Sequence, residues 1–236
     1  MTISPLIFVH IFKAAGTTVQ RQLRDDALGW SAVPQINSDA RFAGRMADAL
    51  ADPRVRAICG HAHYADFADA FERAGRGAPE AFTLVRPPLE RAVSAYDYFR
   101  AAEYEPLHEA ALELPPEAFF PHWQKVQPDA LRGHQCRALA ADGTPTAEAA
   151  LDGLGSRFAF VGTVADMPAL GRFLHGRLGI PFDPARRENR SPSVLAGRPL
   201  SRTVREMLLD ATREDAKLVD QIARRGPLGT AAGGLT

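Results

Sequence analysis

Lysine, cysteine and long apolar runs are all scarce in this chain of 236 residues. Only three of its 28 cationic side chains are lysines (Lys13, Lys125 and Lys217), and the rest are arginines. Two cysteines, Cys59 and Cys136, cannot make a disulfide framework. No CxxC or Cys/His ligand spacing occurs either, so no metal is expected. Few cysteines fit a reducing, cytoplasmic compartment. No apolar run reaches the ~18–20 residues that span a bilayer, so no transmembrane segment is expected. The N-terminal run has no basic residues before it and no small-x-small cleavage site, and reads as a buried strand. An excess of either charge is missing as well: 28 acidic residues balance the 28 basic ones, which argues against a nucleic-acid coat.

What is present is ordinary globular composition, 46% hydrophobic and 24% charged. Short apolar runs at Leu6–His10, Val55–Cys59, Ala81–Val85 and Phe158–Gly162 alternate with helical patterns. The helical stretches are residues 17–28, 39–50, 64–74, 88–100 and 167–178, with a long helix over 202–225. This alternation predicts an α/β fold, a P-loop-like three-layer arrangement of a central, mostly parallel sheet flanked by helices. Residues 1–225 read as a single domain with a helical lid or insertion near 101–155, and 226–236 as a flexible Gly/Ala-rich tail. Within that insertion, residues 101–124 carry five Glu and no Lys or Arg, while 184–205 carry six Arg and one Glu. Trp30 and Trp123 are expected in packing positions. In parallel sheets ligands gather beyond the C-terminal strand ends, so those turns carry the functional reading.

The first turn reads HIFKAAGTT over residues 10–18. A strand, a small-residue turn and a Thr-capped helix form an anion site: backbone N–H groups and the helix dipole face the ligand, and Lys13 adds a cation. It is not a GxxxxGK(S/T) loop, because Lys13 precedes Gly16 rather than following the last glycine. None of the four strands ends in the Asp that would hold Mg²⁺, which disfavours a nucleotide kinase. The third strand ends in Arg86, followed by Pro87-Pro88 and, one turn into a helix, Ser94. Arg86 can grip a phosphate with two donors and Ser94 can add a hydroxyl.

FVHIFKAAGTTV resembles the 5′-phosphosulfate loop, FVHIPKTGGTS, of carbohydrate O-sulfotransferases related to heparan sulfate 2-O-sulfotransferase, which use 3′-phosphoadenosine 5′-phosphosulfate (PAPS). Phe12 stands where that family usually has Pro. RPPLERAVSAYDYF resembles the family's 3′-phosphate segment, RDPxERxxSxYxYF, with Pro87 in place of Asp. The resemblance implies a sulfotransferase-like domain that moves a sulfuryl group from PAPS to an acceptor hydroxyl, a carbohydrate by class. It implies that Lys13, Ala14, Ala15, Gly16, Thr17 and Thr18 hold the 5′-phosphate, and that Arg86 and Ser94 bind the 3′-phosphate. Arg190 and Ser191 are candidates for a late loop over the nucleotide. Positive charge from Lys and Arg would then serve without a metal. The partner is a small-molecule or oligosaccharide acceptor; oligomeric state is open.

After the second strand, CGHAHYADF places His61 and His63 where a base would stand, since histidine titrates near neutral pH. The related enzymes carry His-Gly-His-x-x-Tyr there; His61 and Tyr64 match its second His and its Tyr, and Cys59 takes the place of the first His. His61 is the first choice for the base and His63 the second. Two other classes stay open: a P-loop-type nucleotide kinase or phosphotransferase, marked by a Mg²⁺ requirement, and a non-catalytic nucleotide-binding module, marked by binding without transfer.

Overall fold

The computed structural model describes residues 4–186, 188, 193–195 and 200–229. The chain runs β1 (Leu6–Val9), α1 (Gly16–Arg21), a π-helical turn (Gln22–Leu28), α2 (Phe42–Ala51), β2 (Ala57–Gly60), α3 (Tyr64–Arg73), β3 (Ala81–Val85) and α4 (Pro88–Ala101). It continues through α5 (His108–Glu113), α6 (Pro116–Val126), α7 (His134–Leu139), α8 (Ala147–Leu151), α9 (Leu154–Arg157), β4 (Phe158–Thr163), α10 (Met167–Leu178), α11 (Arg202–Ala211) and α12 (Arg213–Arg225).

The four strands form one all-parallel sheet in the order β2-β1-β3-β4. All four residues of β1 are buried because helices cover both faces, as a parallel sheet requires. Leu6 and Phe8 point into one core, with Val19, Leu23, Leu170 and Leu174. Ile7 and Val9 point into the other, with Phe67, Phe71, Leu139 and Leu218. The result is helix, sheet, helix. From β1 the chain steps outward to β2, then returns to the other side of β1 for β3. The C-terminal ends of β1 and β3 therefore face a topological switch point, where open α/β sheets hold ligands.

The stretch 101–155 is helical, and it is more than a cover. Phe119, Phe120, Trp123 and Leu131 are fully buried in a third core with Tyr96, Phe99, Val204 and Leu208. Three local expectations are corrected. The helix expected over 202–225 breaks at Thr212, which is buried; its hydroxyl donates to the Leu208 carbonyl (2.7 Å) and ends α11. Trp30 is 67% exposed and lies under the Arg24 guanidinium, 4.5 Å from the ring centre, whereas Trp123 is buried. The start of the tail is tied down: the Leu228 N–H donates to the Val161 carbonyl (2.9 Å), adding an antiparallel bridge at β4. No helix among the described residues is long and apolar enough to cross a membrane.

Candidate functional site

The β1–α1 turn is backbone-driven: the threonine cap expected for α1 is not made, and Ala15 stands at the N-cap with no side-chain cap bond. Lys13 and Ala15 both adopt left-handed conformations (φ 63° and 64°), which cost an L-residue about 1–2 kcal/mol each and turn successive N–H groups toward one side. The Ala14 N–H is used inside the turn, donating to Ile11 O (3.1 Å), and the Thr18 N–H donates to Ala15 O (3.1 Å). Among the described residues, the N–H groups of Lys13, Ala15, Gly16 and Thr17 have no such partner. Ala14 is buried and does not line the cleft; Thr18 does, and its hydroxyl accepts from the Glu188 N–H (3.1 Å). Gly16 is required by space: a Cβ there would lie 1.7 Å from the His10 ring.

The β3–α4 turn is side-chain-driven. Pro87 and Pro88 set the helix start at the position proline tolerates. Gln135, at the start of α7, clamps Arg86 from both sides: its Oε1 accepts the Arg86 N–H (2.9 Å) and its Nε2 donates to the Arg86 carbonyl (2.9 Å). The Asp215 carboxylate in turn accepts the N–H groups of Gln135 and Cys136 (3.0 Å each). The Arg86 side chain then spans the switch point, where its Nη1 donates to the Lys13 carbonyl (3.3 Å) and its Nε lies 3.5 Å from Glu90.

Between the turns lies a cleft of about 1010 Å³. Lys13, Thr17, Thr18, His61, Arg86 and Ser94 all face it, although they come from three separate strand ends. Burial, with the Arg86 guanidinium nearby, draws the Lys13 ammonium below the usual lysine value, and Asp97 opposes the drop. The ammonium sits 4.5 Å above the Tyr98 ring.

The register explains where His61 stands. Val9 pairs with Gly60, so the residues after them, His10 and His61, fall side by side with ring centres 4.0 Å apart. Asn37 Oδ1 accepts the His61 N–H (3.1 Å) and fixes the turn. His61 is open to solvent on one side and enclosed by the cleft wall on the other. Burial lowers its pKa below the usual histidine value, although the His10 carbonyl and Glu105 oppose the drop. It is therefore neutral at pH 7 and able to accept a proton. His10 is more deeply buried and is held neutral by that burial, by His61 and by Lys13. His63 is placed differently. It opens α3, with its N–H donating to Asp66 (2.8 Å), and it does not line the cleft. Cys59 is fully buried in β2, and burial pushes its thiol up to about 12, which leaves it inert.

Arg190 and Ser191 lie outside the described residues. Their described neighbours Glu188 and Ser193 line the cleft, and Glu188 pairs with Arg21 and Arg186 (2.6 Å each). Asp166 caps its own turn, accepting the Thr163 N–H (2.7 Å), and serves the fold. Sequence reasoning missed His10, Asn37, Tyr98 and Gln135. Only the strand-end pair His10 and His61 had a readable signal, since aligned parallel strands place both past their last paired residues. Among the described residues, no three His, Cys, Asp or Glu side chains converge as metal ligands. No family model matches the chain, and no curated protein matches it in sequence.

Proposed function

We propose that the chain transfers a sulfuryl group from PAPS to an acceptor hydroxyl, of carbohydrate class by the resemblance of its two turn motifs. The observation that carries this reading is the convergence of Lys13, Arg86, Ser94 and His61 on one cleft at the switch point. The free N–H groups of Ala15, Gly16 and Thr17, with the start of α1, suit a 5′-phosphate. Arg86 and Ser94 suit the 3′-phosphate, which distinguishes PAPS from ATP. Lys13 neutralises charge building on the departing phosphate oxygen. His61 takes the acceptor's proton. The S–O bond to the donor phosphate breaks as the S–O bond to the acceptor forms, and the products are the sulfate ester, 3′,5′-ADP and the proton held by His61.

Most of the rate should come from positioning and fixed charge. The experiment is label transfer from radiolabelled PAPS to a glycoside panel, followed together with 3′,5′-ADP release. The reading expects one 3′,5′-ADP per sulfate ester and loss of transfer in His61→Ala. Transfer from Mg²⁺·ATP instead, or wild-type turnover in His61→Ala, contradicts it.

A further inference from the structure

The two sides of the cleft differ in charge balance. On the donor side Glu90 is matched by Arg86 and Glu188 by Arg21 and Arg186, and Asp97, one turn beyond Ser94, accepts the Val194 N–H (3.1 Å). On the side beyond Lys13 and His61 stands Glu105, which forms no ion pair among the described residues. Its Oε1 accepts the hydroxyl of Tyr98 (2.9 Å), whose ring lines the cleft. Its charge reaches His61.

The wall there is aromatic. Phe12 stands edge-on to His61 at 6.3 Å and to Tyr98 at 5.3 Å. Tyr98 bonds the Tyr104 hydroxyl (2.5 Å), and Tyr104 is 79% exposed at the rim.

We propose that the acceptor is a ring-bearing hydroxyl compound without negative charge, best when it carries an amine, and not a polyanionic glycan. This rests on the PAPS reading above and deepens it. Rings stack on Phe12 and Tyr98, and an amine gains from both the aromatic faces and the unpaired Glu105 carboxylate. An anionic acceptor meets that same carboxylate at close range. With Lys13 turned to the donor, the Tyr98 face that it covers becomes free for the acceptor.

The test uses three 4-nitrophenyl glycosides of matched shape: the glucosaminide, the glucoside and the glucuronide. N-sulfated heparan chains are the polyanion control. Radiolabelled PAPS is the donor. The expected kcat/KM order is glucosaminide, then glucoside, then glucuronide, with about tenfold or more between first and last. Glu105→Gln should compress that order and Glu105→Lys should invert it, while both variants keep the wild-type thermal stabilisation by 3′,5′-ADP. Equal or better transfer to the glucuronide or heparan overturns the inference, as does an order unchanged in Glu105→Lys. Where turnover is too slow to rank, thermal shifts of the 3′,5′-ADP complex with the three glycosides must follow the same order; equal or absent shifts overturn it. Absence of any stabilisation by 3′,5′-ADP alone instead refutes the donor reading, so the two failures are distinguishable.

Discussion

The two turns that flank the cleft reach similar ends by opposite means. The β1–α1 turn offers backbone: two non-glycine residues held at positive φ aim free N–H groups, and one lysine completes it. The β3–α4 turn offers side chains: the Arg86 backbone is spent on Gln135, and the Arg86 and Ser94 side chains face the cleft as its donors to a second anion. A backbone cradle fits a group at fixed depth and tolerates little change of shape. A guanidinium fork recognises a second phosphate by charge and two-pronged geometry. In the proposed reaction the first would suit the reacting phosphate, and the second the phosphate that identifies the donor.

Substitutions can separate these roles. Lys13→Ala should lower kcat by about 10²-fold or more while changing 3′,5′-ADP affinity far less, as a group acting mainly in the transition state does. Parallel kcat and Kd measurements check this; a near-wild-type kcat removes Lys13 from the chemistry. Arg86→Ala should do the reverse. Losing charge-assisted bonds worth about 1.5–3 kcal/mol would weaken 3′,5′-ADP by about 10- to 100-fold and leave 5′-AMP binding nearly unchanged. Calorimetric titration of both nucleotides reads that difference.

Gln135→Ala probes the support beneath Arg86. It strands a backbone N–H and a carbonyl, for about 1–3 kcal/mol of stability by chemical denaturation, and should also weaken 3′,5′-ADP. A variant that loses stability but keeps nucleotide affinity would show that the clamp does not position Arg86. The pH profile follows from the two titrating groups. His61 must be neutral and its pKa is lowered, so kcat/KM should hold at pH 6.5 and fall only below it. Lys13 must be charged and its pKa is lowered too, so the alkaline fall should begin below the usual lysine value of about 10.4. In the residual turnover of His61→Gln the acid limb should be absent. The smallest effect is expected of Ala15→Gly, which relieves the positive φ and should raise stability by no more than about 1 kcal/mol with the cradle intact.

Much of this fold was readable because its strands are short apolar runs ending in Gly, Lys or Arg turns. All four fell within two residues of their expected positions, as did the helix over Met167–Leu178. That Lys13, Gly16, Thr17, Arg86 and Ser94 would share one cleft was readable because residues just past parallel strand ends gather at the same edge of the sheet. Long-range relations were not. Gln135 is 49 residues from Arg86, and nothing local to either marks the clamp. The His10–His61 pair depends on strand register, which only the paired sheet fixes. The break at Thr212 was hidden because the apolar period runs on through it, and the hydroxyl bond back to Leu208 that accompanies the bend leaves no mark in that period. Trp30 was misplaced because a large ring reads as core, whereas here a guanidinium covers it at the surface.

The proposed donor has phosphates at both the 3′ and 5′ positions, and the cleft should select for the pair. The direct measurement is thermal unfolding of the full chain with 3′,5′-ADP, 5′-AMP or Mg²⁺·ATP at equal concentration. Ligands that bind only the folded state raise the transition in proportion to RT ln(1 + [L]/Kd). A clear rise is expected with 3′,5′-ADP, a small one with 5′-AMP and none beyond that with ATP. Equal shifts with all three, or the largest with Mg²⁺·ATP, would contradict it.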